Sequence, residues 1–501
     1  MSAALLQRLL LPAAVLGLLY ALMGVYASGQ TLLAAMLLAV GALAIWTYSS
    51  PRTGALRYLF PGVAAALVFV VFPMLYTFGL GFSNYSARNL LDFERARAYL
   101  LEERIREQGS EREFSLHREG DGLRLLLTGA AGELLTPRFR PDAEHPQDLT
   151  LVAAGETLAA PLAMAERVAL LPALRVLRLR DAAGQVYTLS SLREFAQSRP
   201  LYVEAADGVL TDQLSGTRYQ PDAGEGFYTS ASGEQLQPGY RVNVGWRHYA
   251  RVFTEPRFRA PFLSVFVWTV VFAGMTVLLT TALGLLLAVL LNWESLEARA
   301  AYRLVLFLPY AVPGFISTLV FKGLFNQNLG EINLILHGLF GVRPAWFSDP
   351  LLAKCMLLIV NLWLGFPYMM VLCTGMIKAI PADLYEASAV AGAGPWANFK
   401  LITMPLILKP LTPLLISAFA FNFNNFVLIS LLTGGRPDQL DTSLPAGTTD
   451  ILVSYTWRIA FQDSGQQFGL ASAISTLIFL IVAAITLVQM RMTRLDQDHK
   501  R

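Results

Sequence analysis

Two apolar stretches of the chain carry polar and aromatic side chains at spacings that suit the binding of a small molecule. In the first, written NLWLGFPYMM, four residues recur at i, i+3, i+4 and i+7: Asn361, Leu364, Gly365 and Tyr368. This spacing puts an amide, a gap and a phenol on one face of a helix. Pro367 breaks the backbone ladder beside that face, a defect that membrane helices tolerate where they face protein or water. We therefore predict that this face lines a cavity.

The second stretch contains the run FNFNNF. Helical geometry puts Phe421, Asn422 and Asn425 within an arc of about 100°. Asn424 points nearly opposite to Asn422. We therefore predict that Asn422 and Asn425, rather than Asn424, face the same cavity.

The chemistry of these two stripes suits a neutral polyol. Amides donate to and accept from hydroxyl groups, and aromatic rings cover the apolar CH faces of a sugar. A charged substrate would call for arginine or lysine, and neither stripe contains one. The alternative is that these asparagines join helices to each other, as polar residues commonly do in bilayers.

A short segment between the sixth and seventh apolar stretches, IPADLYEASAVAGAGPW, predicts a capped helix from Pro381 to Ala391. Proline suits a first helical position, and the glycines that follow Ala391 end the helix. Leu384, Ala387 and Ala391 recur at i, i+3 and i+7, which gives a narrow face of small apolar side chains. Such a face suits docking into a groove of another protein, although an ordinary connecting helix is the alternative.

Several kinds of chemistry lack their usual residues. The sequence has no GxxxxGK[ST] pattern and no Gly-Lys pair, so no P-loop can hold a nucleotide. The apolar spans contain no Asp or Glu well inside them, which disfavours an ion-coupled carrier. We predict no catalytic residues, no metal site and no cofactor, and we assign any ATP hydrolysis to another chain.

The composition requires a membrane. The 501 residues are 54% hydrophobic and 15% charged, with a mean hydropathy of +0.48. One soluble core could not bury that much apolar surface, so the bilayer is the solvent. The net charge is only +3, and the sequence has no block of like charges. The composition therefore does not indicate binding to nucleic acid.

Eight stretches are long enough to cross about 30 Å of hydrocarbon. They lie near Leu5–Tyr26, Thr31–Tyr48, Tyr58–Phe82, Pro261–Leu291, Tyr302–Phe325, Leu351–Met376, Leu406–Leu432 and Phe468–Met490. An even number puts both termini on one side. Basic residues of the loops on that side, such as Arg299, Lys378 and Lys400, indicate that it is the cytoplasm.

The spans divide the chain into three parts. Residues 1–83 hold three helices, 84–259 form a polar insertion, and 260–501 form a core of five helices with the docking segment at 381–405. The insertion lies outside the cytoplasm by sidedness. Two of its stretches have alternating or apolar runs around glycine-containing turns, which indicates β-hairpins: EFSLHREGDGLRLLLTG and VLRLRDAAGQVYTLSS. A helical pattern is found in FERARAYLLEERIREQ. We predict an α/β or β-rich domain that is a docking surface, with a folded spacer as the alternative.

The docking segment resembles the EAA loop of ABC importer permeases. The resemblance is carried by Glu386, Ala387, Ser388, Gly392, Ile402, Met404 and Pro405. In that family the loop is the coupling helix that sits in a cleft of the ATPase subunit. It implies that Leu384, Glu386, Ala387, Ser388, Ala391 and Gly392 contact the ATPase. The family pattern has Ala where this chain has Ser388, and Leu where it has Met404.

A combination of features narrows the family resemblance. The chain has the EAA loop, a large domain after the third span, and the segments LNWESLEARAAYRLVLFLPYAVPGFIS, NLWLGFPYMM and FAFNFNNFVLISLLTGG. It is similar to the larger permease subunits of maltose and maltodextrin importers, which have the type I importer permease fold. The resemblance implies that maltose contacts Asn361, Leu364, Gly365, Tyr368, Phe421, Asn422 and Asn425. A further family contact is Ser, and here it is Ala418.

The resemblance also implies partners and a location. These are a second permease subunit of the MalG type, two ATP-binding subunits of the MalK type and a periplasmic maltose-binding protein. The chain is then a multi-pass protein of the bacterial inner membrane. The alternatives are a permease for another neutral oligosaccharide, a secondary carrier and a membrane sensor. A sensor would normally have a cytoplasmic output domain, and the cytoplasmic loops are too short to hold one.

Overall fold

The computed structural model describes residues 3–498 apart from nine positions. The chain forms two compact units. The positions left out are Gln108, Ala130, Ala131, Glu156, Thr157, Glu294, Asp441, Ser443 and Ser464. One unit comprises Met1–Ala87 and Asn243–Arg501, and the other is Arg88–Val242. The insertion predicted at 84–259 extends beyond the second unit, because Tyr249 and Val252 are buried on a helix that packs with the membrane helices.

The chain begins with three apolar helices: α1 (Ala3–Ala27), α2 (Thr31–Ser49) and α3 (Leu56–Leu80). Helix α3 contains one π-helical turn, at Leu67–Val71. A 3₁₀ turn, Pro51–Thr53, separates α2 from α3. The hydroxyl of Thr53 donates to the carbonyl of Thr47 at 2.6 Å, and the Arg57 guanidinium donates to the carbonyl of Ser50 at 3.1 Å. These bonds satisfy carbonyls that the end of α2 leaves free.

The described residues of the inserted unit form two helices and thirteen strands. The helices are α4 (Phe93–Glu102) and α5 (Met164–Arg175). The strands are β1 (Arg104–Arg106), β2 (Arg112–Glu119), β3 (Gly122–Gly129), β4 (Gly132–Leu135), β5 (Gln147–Thr150), β6 (Val152–Ala153), β7 (Leu177–Arg180), β8 (Val186–Leu189), β9 (Glu194–Pro200), β10 (Tyr202–Glu204), β11 (Leu210–Asp212), β12 (Arg218–Asp222) and β13 (Phe227–Ser230).

The strands form two sheets. One has nine strands in the order β5-β7-β8-β9-β2-β3-β4-β6, with β1 also pairing with β9. Among the described strand pairs of this sheet, β5 with β7 is parallel and the others are antiparallel. The other sheet is an antiparallel meander of β10 to β13. Both predicted hairpins are confirmed, as β2–β3 and β7–β8.

The predicted helical stretch 93–108 is helical only as far as Glu102. Asp92 caps the start by accepting a 2.9 Å hydrogen bond from the Arg95 amide. The helix ends early because Arg104–Arg106 pairs with β9 instead. The last residue of that stretch, Gln108, lies outside the described residues.

Each sheet of the insertion has its own apolar core. Phe114, Leu125 and Phe195 are buried in the core of the large sheet. The core of the small sheet contains four buried tyrosines: Tyr202, Tyr219, Tyr228 and Tyr240. Burial raises the pKa of Tyr202 and of Tyr240 to about 12. The insertion contains no cysteine, so these cores stabilise it without a disulfide.

The rest of the chain is helical. Its elements are α6 (Arg247–Thr254), α7 (Pro256–Leu291), α8 (Arg299–Ala311), α9 (Gly314–Leu324), α10 (Glu331–Phe340), α11 (Pro350–Lys378), α12 (Ala382–Val390), α13 (Pro395–Phe423), α14 (Phe426–Leu432), α15 (Leu452–Phe461) and α16 (Phe468–Asp498). Helix α13 includes a π-helical turn at Phe399–Thr403. Helices α7 and α11 pack along each other at the centre of this unit.

The structure corrects the predicted spans in two places. Of the described helices, six are long and apolar enough to cross a bilayer, and the pair α8 and α9 makes up to seven. That pair, predicted as one span, is bent by 88°, because Val312 before Pro313 is extended and cannot continue the helix. Helix α1, which covers the predicted span Leu5–Tyr26, runs from Ala3 to Ala27.

The seventh predicted span, Leu406–Leu432, is also different. One helix runs from Pro395 to Phe423, and a separate short helix begins at Phe426. The chain leaves the helix at Asn424, where φ is −109° and ψ is 20°. The break lies inside the run of asparagines and therefore decides which of them face the cavity.

Candidate substrate cavity and coupling helix

A cavity of about 560 Å³ lies among the helices of the membrane unit. Its lining residues come from α7, the α8–α9 bend, α11, α13 and the start of α14: Thr276, Thr280, Tyr310, Gly314, Thr318, Asn361, Leu364, Gly365, Tyr368, Met369, Leu414, Ser417, Ala418, Phe421, Asn422, Asn425, Val427 and Leu428. All the residues predicted to hold a solute are among them, together with Ala418. No lining residue is an acid, an arginine or a lysine.

Helix α11 presents its predicted face because it packs very closely on α7. A Cβ on Gly365 would lie 2.9 Å from the methyl carbon of Thr280. A Cβ on Gly284 would lie 2.7 Å from the backbone nitrogen of Met370. The two glycines therefore allow the helices to approach closely and bring the side chains of Thr276 and Asn361 within hydrogen-bonding distance.

Three asparagines from three parts of the chain form one hydrogen-bond network. The Asn361 amide nitrogen donates to the Asn422 oxygen at 2.8 Å and to the Thr276 hydroxyl at 3.1 Å. The Asn425 amide nitrogen donates to the Asn361 oxygen at 3.4 Å. The Asn422 nitrogen donates to the Ala418 carbonyl at 2.8 Å. Asn361 is only 5% exposed and donates both of its amide protons within this network.

The network leaves hydrogen-bonding capacity at the other two amides. A primary amide has two protons. Asn422 and Asn425 each donate one proton to a described protein acceptor, so one proton of each is available to a ligand. The Asn425 oxygen also accepts from the Leu428 amide at 3.4 Å and caps α14. The break at Asn424 therefore orients Asn425 through a helix cap.

Aromatic rings supply the other part of the cavity wall. Tyr368 and Tyr310 are stacked, with ring centroids 6.5 Å apart and planes 19° apart. The Phe421 ring is 71% exposed. Asn424 is exposed, donates to the Ala420 carbonyl at 3.3 Å and does not line the cavity.

Sequence reasoning missed Thr276, Thr280, Tyr310, Thr318 and Ser417. Thr276 and Thr280 are one helical turn apart on α7, and this i, i+4 repeat of hydroxyls could have indicated a polar face. Tyr310 enters the cavity because of the bend between α8 and α9, which helical periodicity does not reveal. The sequence therefore offers no periodic signal that would have identified Tyr310.

Helix α12 contains the residues predicted to contact an ATPase. It runs from Ala382 to Val390, one residue shorter at each end than predicted, because Pro381 is the N-cap and Ala391 the C-cap. Gly392 has φ +76°, as predicted for a left-handed closing residue. The Gly392 amide donates to the Ala389 carbonyl and the Ala393 amide to the Ser388 carbonyl, each at 3.0 Å, which is a Schellman motif.

The predicted docking face of α12 is open in this chain. Leu384, Ala387 and Ala391 are exposed, as are Glu386 and Gly392. Ser388, one helical turn after Leu384, is half-buried and forms a hydrogen bond to Asn398. The small apolar side chains are thus free of intramolecular contacts that would prevent another surface from approaching.

A buried charge pair holds the loop between α14 and α15. The Arg458 guanidinium lies 2.8 Å from the Asp450 carboxylate and 2.6 Å from that of Asp438. Asp450 is fully buried and also accepts from the Gly447 amide at 2.7 Å and the Ser454 hydroxyl at 2.8 Å. These charge-assisted bonds fix the loop that follows the cavity helices.

Comparison with known proteins identifies two matched regions. Residues 91–245 match the family described as the maltose transport system permease protein MalF P2 domain. Residues 280–497 match the binding-protein-dependent transport system inner membrane component.

Whole-length relatives are similar over nearly the entire chain. The maltose/maltodextrin transport system permease protein MalF of Klebsiella aerogenes is 49% identical, covering 97% of this chain and 96% of that protein. The same protein of Escherichia coli K12 is 49% identical with the same coverage. That of Vibrio cholerae is 47% identical, covering 96% of this chain and 93% of the relative.

Solved structures with similarity include a bacterial ABC transporter involved in the import of the acidic polysaccharide alginate. It is 22% identical with a TM-score of 0.44, covering 50% of this chain and 83% of that one. An inward-facing MetNI methionine ABC transporter is 15% identical with a TM-score of 0.35, covering 48% of this chain and 99% of that one.

Proposed function

The chain belongs to the MalF family of binding-protein-dependent importer permeases, and on that premise we propose that its cavity binds maltose and maltodextrins during transport. The chain is a multi-pass permease subunit of the inner membrane in an ABC importer for maltose and maltodextrin. Nucleotide hydrolysis is carried out by separate ATPase subunits, so this chain is not itself an enzyme.

The observation that carries the binding proposal is the available amide protons of Asn422 and Asn425 beside exposed aromatic rings. A maltose hydroxyl accepts a hydrogen bond from each amide, and the apolar faces of the sugar rings lie against Tyr368 and Phe421. The uncharged lining favours a neutral solute, because a bare charge there would have no partner. Leu364 and Gly365 complete the wall beside Tyr368.

Ala418 lines the cavity where the family pattern has a serine. A methyl group can neither donate nor accept a hydrogen bond, so this chain has one polar contact fewer at that position. We expect a change in affinity or in the preferred oligosaccharide length. The contact made by the Asn422 amide with the Ala418 carbonyl does not depend on the side chain and is retained.

The proposal extends to the partners. Two permease subunits surround the path, a periplasmic maltose-binding protein delivers the sugar, and α12 docks on one of two ATP-binding subunits. Exposure of Leu384, Ala387 and Ala391 supports docking through this face. Movement of the ATPases then rocks the helices around the cavity, which opens alternately to each side of the membrane. Both termini lie in the cytoplasm by the distribution of basic residues.

Copurification tests this assignment. The chain is purified from membranes in mild detergent, the associated chains are identified, and ATP hydrolysis is measured with binding protein plus maltose or sucrose. The expected result is one further membrane subunit, an ATPase, and stimulation by maltose but not by sucrose. Purification of the chain alone, with no ATPase and no stimulation, would contradict the proposal. Stimulation only by sucrose would assign the cavity to another neutral sugar.

A further inference from the structure

Two side chains of α12, Tyr385 and Ser388, form hydrogen bonds to the base of α13. The hydroxyls of Tyr385 and Thr403 lie 2.9 Å apart, and either can donate. The Ser388 hydroxyl donates to the side-chain oxygen of Asn398. We call these two contacts the α12 brace.

The brace ends on a part of α13 that is firmly held. Thr403 is 5% exposed. Phe399, next to Asn398, packs against a buried apolar cluster that contains Leu285 of α7 and Ile407 of α13. The brace therefore joins α12 to the packed helices rather than to a loose segment.

The main chain alone would connect α12 to α13 weakly. Only Ala391 to Gly394 separate the two helices, and two of these four residues are glycines. Glycine has the greatest backbone freedom of any residue. The two side-chain bonds of the brace restrict this connection.

Helix α13 leads from the brace to the cavity. Thr403 and Asn422 are 19 residues apart on it, which corresponds to roughly 28 Å along a helix. Its far end carries Ser417, Ala418, Phe421 and Asn422 of the cavity lining. A displacement of the base of α13 is therefore a displacement of these side chains.

We propose that Tyr385 and Ser388 are positioning residues that lock the coupling helix to α13, so that movement of the docked ATPase reaches the cavity. This inference rests on the proposed function of α12. Ser388 occupies a position where the EAA pattern has alanine, which cannot make the bond to Asn398. One half of the brace is thus a feature of this chain beyond that pattern.

The test measures coupling in the complete reconstituted importer. Maltose transported and ATP hydrolysed are measured together in proteoliposomes for wild type, Ser388→Ala, Tyr385→Phe and Thr403→Val. Loss of one hydrogen bond should lower the ratio of maltose transported to ATP hydrolysed by roughly threefold or more. ATPase subunits should still copurify, because Leu384, Ala387 and Ala391 of the docking face are unchanged and Ser388→Ala introduces the residue of the EAA pattern.

Controls separate the brace from general damage. Ser388→Thr keeps the hydroxyl and should restore the ratio. Thr412→Val removes a hydroxyl of α13 that donates to the Leu408 carbonyl at 2.8 Å, within its own helix, and should leave the ratio unchanged. Because Ser388 and Asn398 act as a pair, Ser388→Ala combined with Asn398→Ala should lower it no further than either change alone.

The proposal would be overturned if Ser388→Ala and Tyr385→Phe both had the wild-type ratio of maltose transported to ATP hydrolysed and ATPase subunits were recovered with each. Additive losses in the double variant would also overturn the Ser388–Asn398 pairing. Failure of the proposed function looks different, since wild type itself would then show no maltose-stimulated hydrolysis.

Discussion

Hydrogen-bond accounting gives the three cavity asparagines different roles. Asn361 donates both amide protons within the protein and accepts from Asn425, so it orients the other two amides. Asn422 and Asn425 keep one proton each for a ligand. The sequence presents helix joining and sugar binding as alternative roles for these asparagines. One hydrogen-bond network of Asn361, Asn422 and Asn425 can serve both roles.

Substitutions at the cavity should impair transport without preventing assembly. Tyr368→Ala, Asn422→Ala and Asn425→Ala each remove a sugar contact, and a lost hydrogen bond costs on the order of 1 kcal/mol or more. We expect reduced maltose uptake with normal recovery of ATPase subunits and near-normal basal ATP hydrolysis.

Asn424→Ala is the matched control, because Asn424 is an exposed amide of the same run that does not line the cavity. Its effect on uptake should be milder. An equal loss of uptake at Asn424, or loss of the protein from the membrane in all four variants, would indicate that the asparagines act only in helix packing.

The sequence predicts cavity residues well where one helix supplies them. The i, i+3, i+4, i+7 spacing of α11 was sufficient to bring Asn361 and Tyr368 to one face. Thr276 and Tyr310 join the same cavity through helix crossing and a bend, and these depend on long-range packing. Periodicity along one segment contains no information about such contacts.

At the scale of elements, α12 combines an exposed docking face with a fixed end. Its closing residue, Gly392, was predictable because a glycine followed by Gly394 and Pro395 is a typical helix end. The bend before Pro313 and the break at Asn424 were not predicted, although Pro313 offered a signal. A proline between two apolar runs is compatible with either a kinked span or a break, and packing decides between them.

Changes in α12 should break communication rather than sugar recognition. A bulky residue at Gly392, such as Gly392→Leu, adds a Cβ at φ +76°, which costs roughly 1 kcal/mol and distorts the end of the helix. Reversing the charge with Glu386→Arg removes a carboxylate from the edge of the docking face. We expect loss of maltose-stimulated ATP hydrolysis, weaker recovery of ATPase subunits, or both.

Gly17→Leu is a control for glycine replacement in a helix, since a Cβ there meets nothing within 4 Å. It should keep maltose-stimulated hydrolysis and ATPase recovery. Normal stimulation and recovery in both α12 variants would show that force passes through another surface.

At the scale of the whole molecule, the chain joins a helical permease to a β-rich insertion with its own cores. The amide of Arg241 donates to the Leu91 carbonyl at 2.8 Å, so the two ends of the insertion lie side by side. We expect residues 88–242 to fold alone and to contribute to docking the binding protein. Cooperative denaturant unfolding of the fragment is the first measurement.

Replacing the insertion by a short linker tests its role. Its adjacent ends allow this change without separating the flanking helices. We expect ATPase recovery to remain and binding-protein-dependent uptake to fall. Unchanged uptake, with unchanged affinity for the binding protein, would make the insertion a spacer.

The isolated insertion should lose stability in alkali. The pKa of Tyr202 and of Tyr240 is raised by burial from 10.0 to about 12, so folding favours the neutral phenol. This contribution is fully present below pH 10 and is lost as the pH rises towards 12. Residues 88–242 contain no lysine or cysteine, so tyrosines dominate titration in this range.

The measurement is the free energy of unfolding of the fragment between pH 8 and pH 12. Tyr202→Phe and Tyr240→Phe should flatten its fall, whereas Tyr99→Phe, at a side chain that is 58% exposed, should not. A pH dependence equal in all variants would exclude these phenols as its cause.

The most direct test of the whole account is ATP-driven maltose accumulation in proteoliposomes that contain this chain with its second permease subunit and ATPases. We predict accumulation only with ATP on the ATPase side and binding protein on the other. It should persist when ion gradients are collapsed and be strongly reduced by Asn422→Ala combined with Asn425→Ala. Accumulation driven by an ion gradient without ATP, or full uptake by the double variant, would contradict the account.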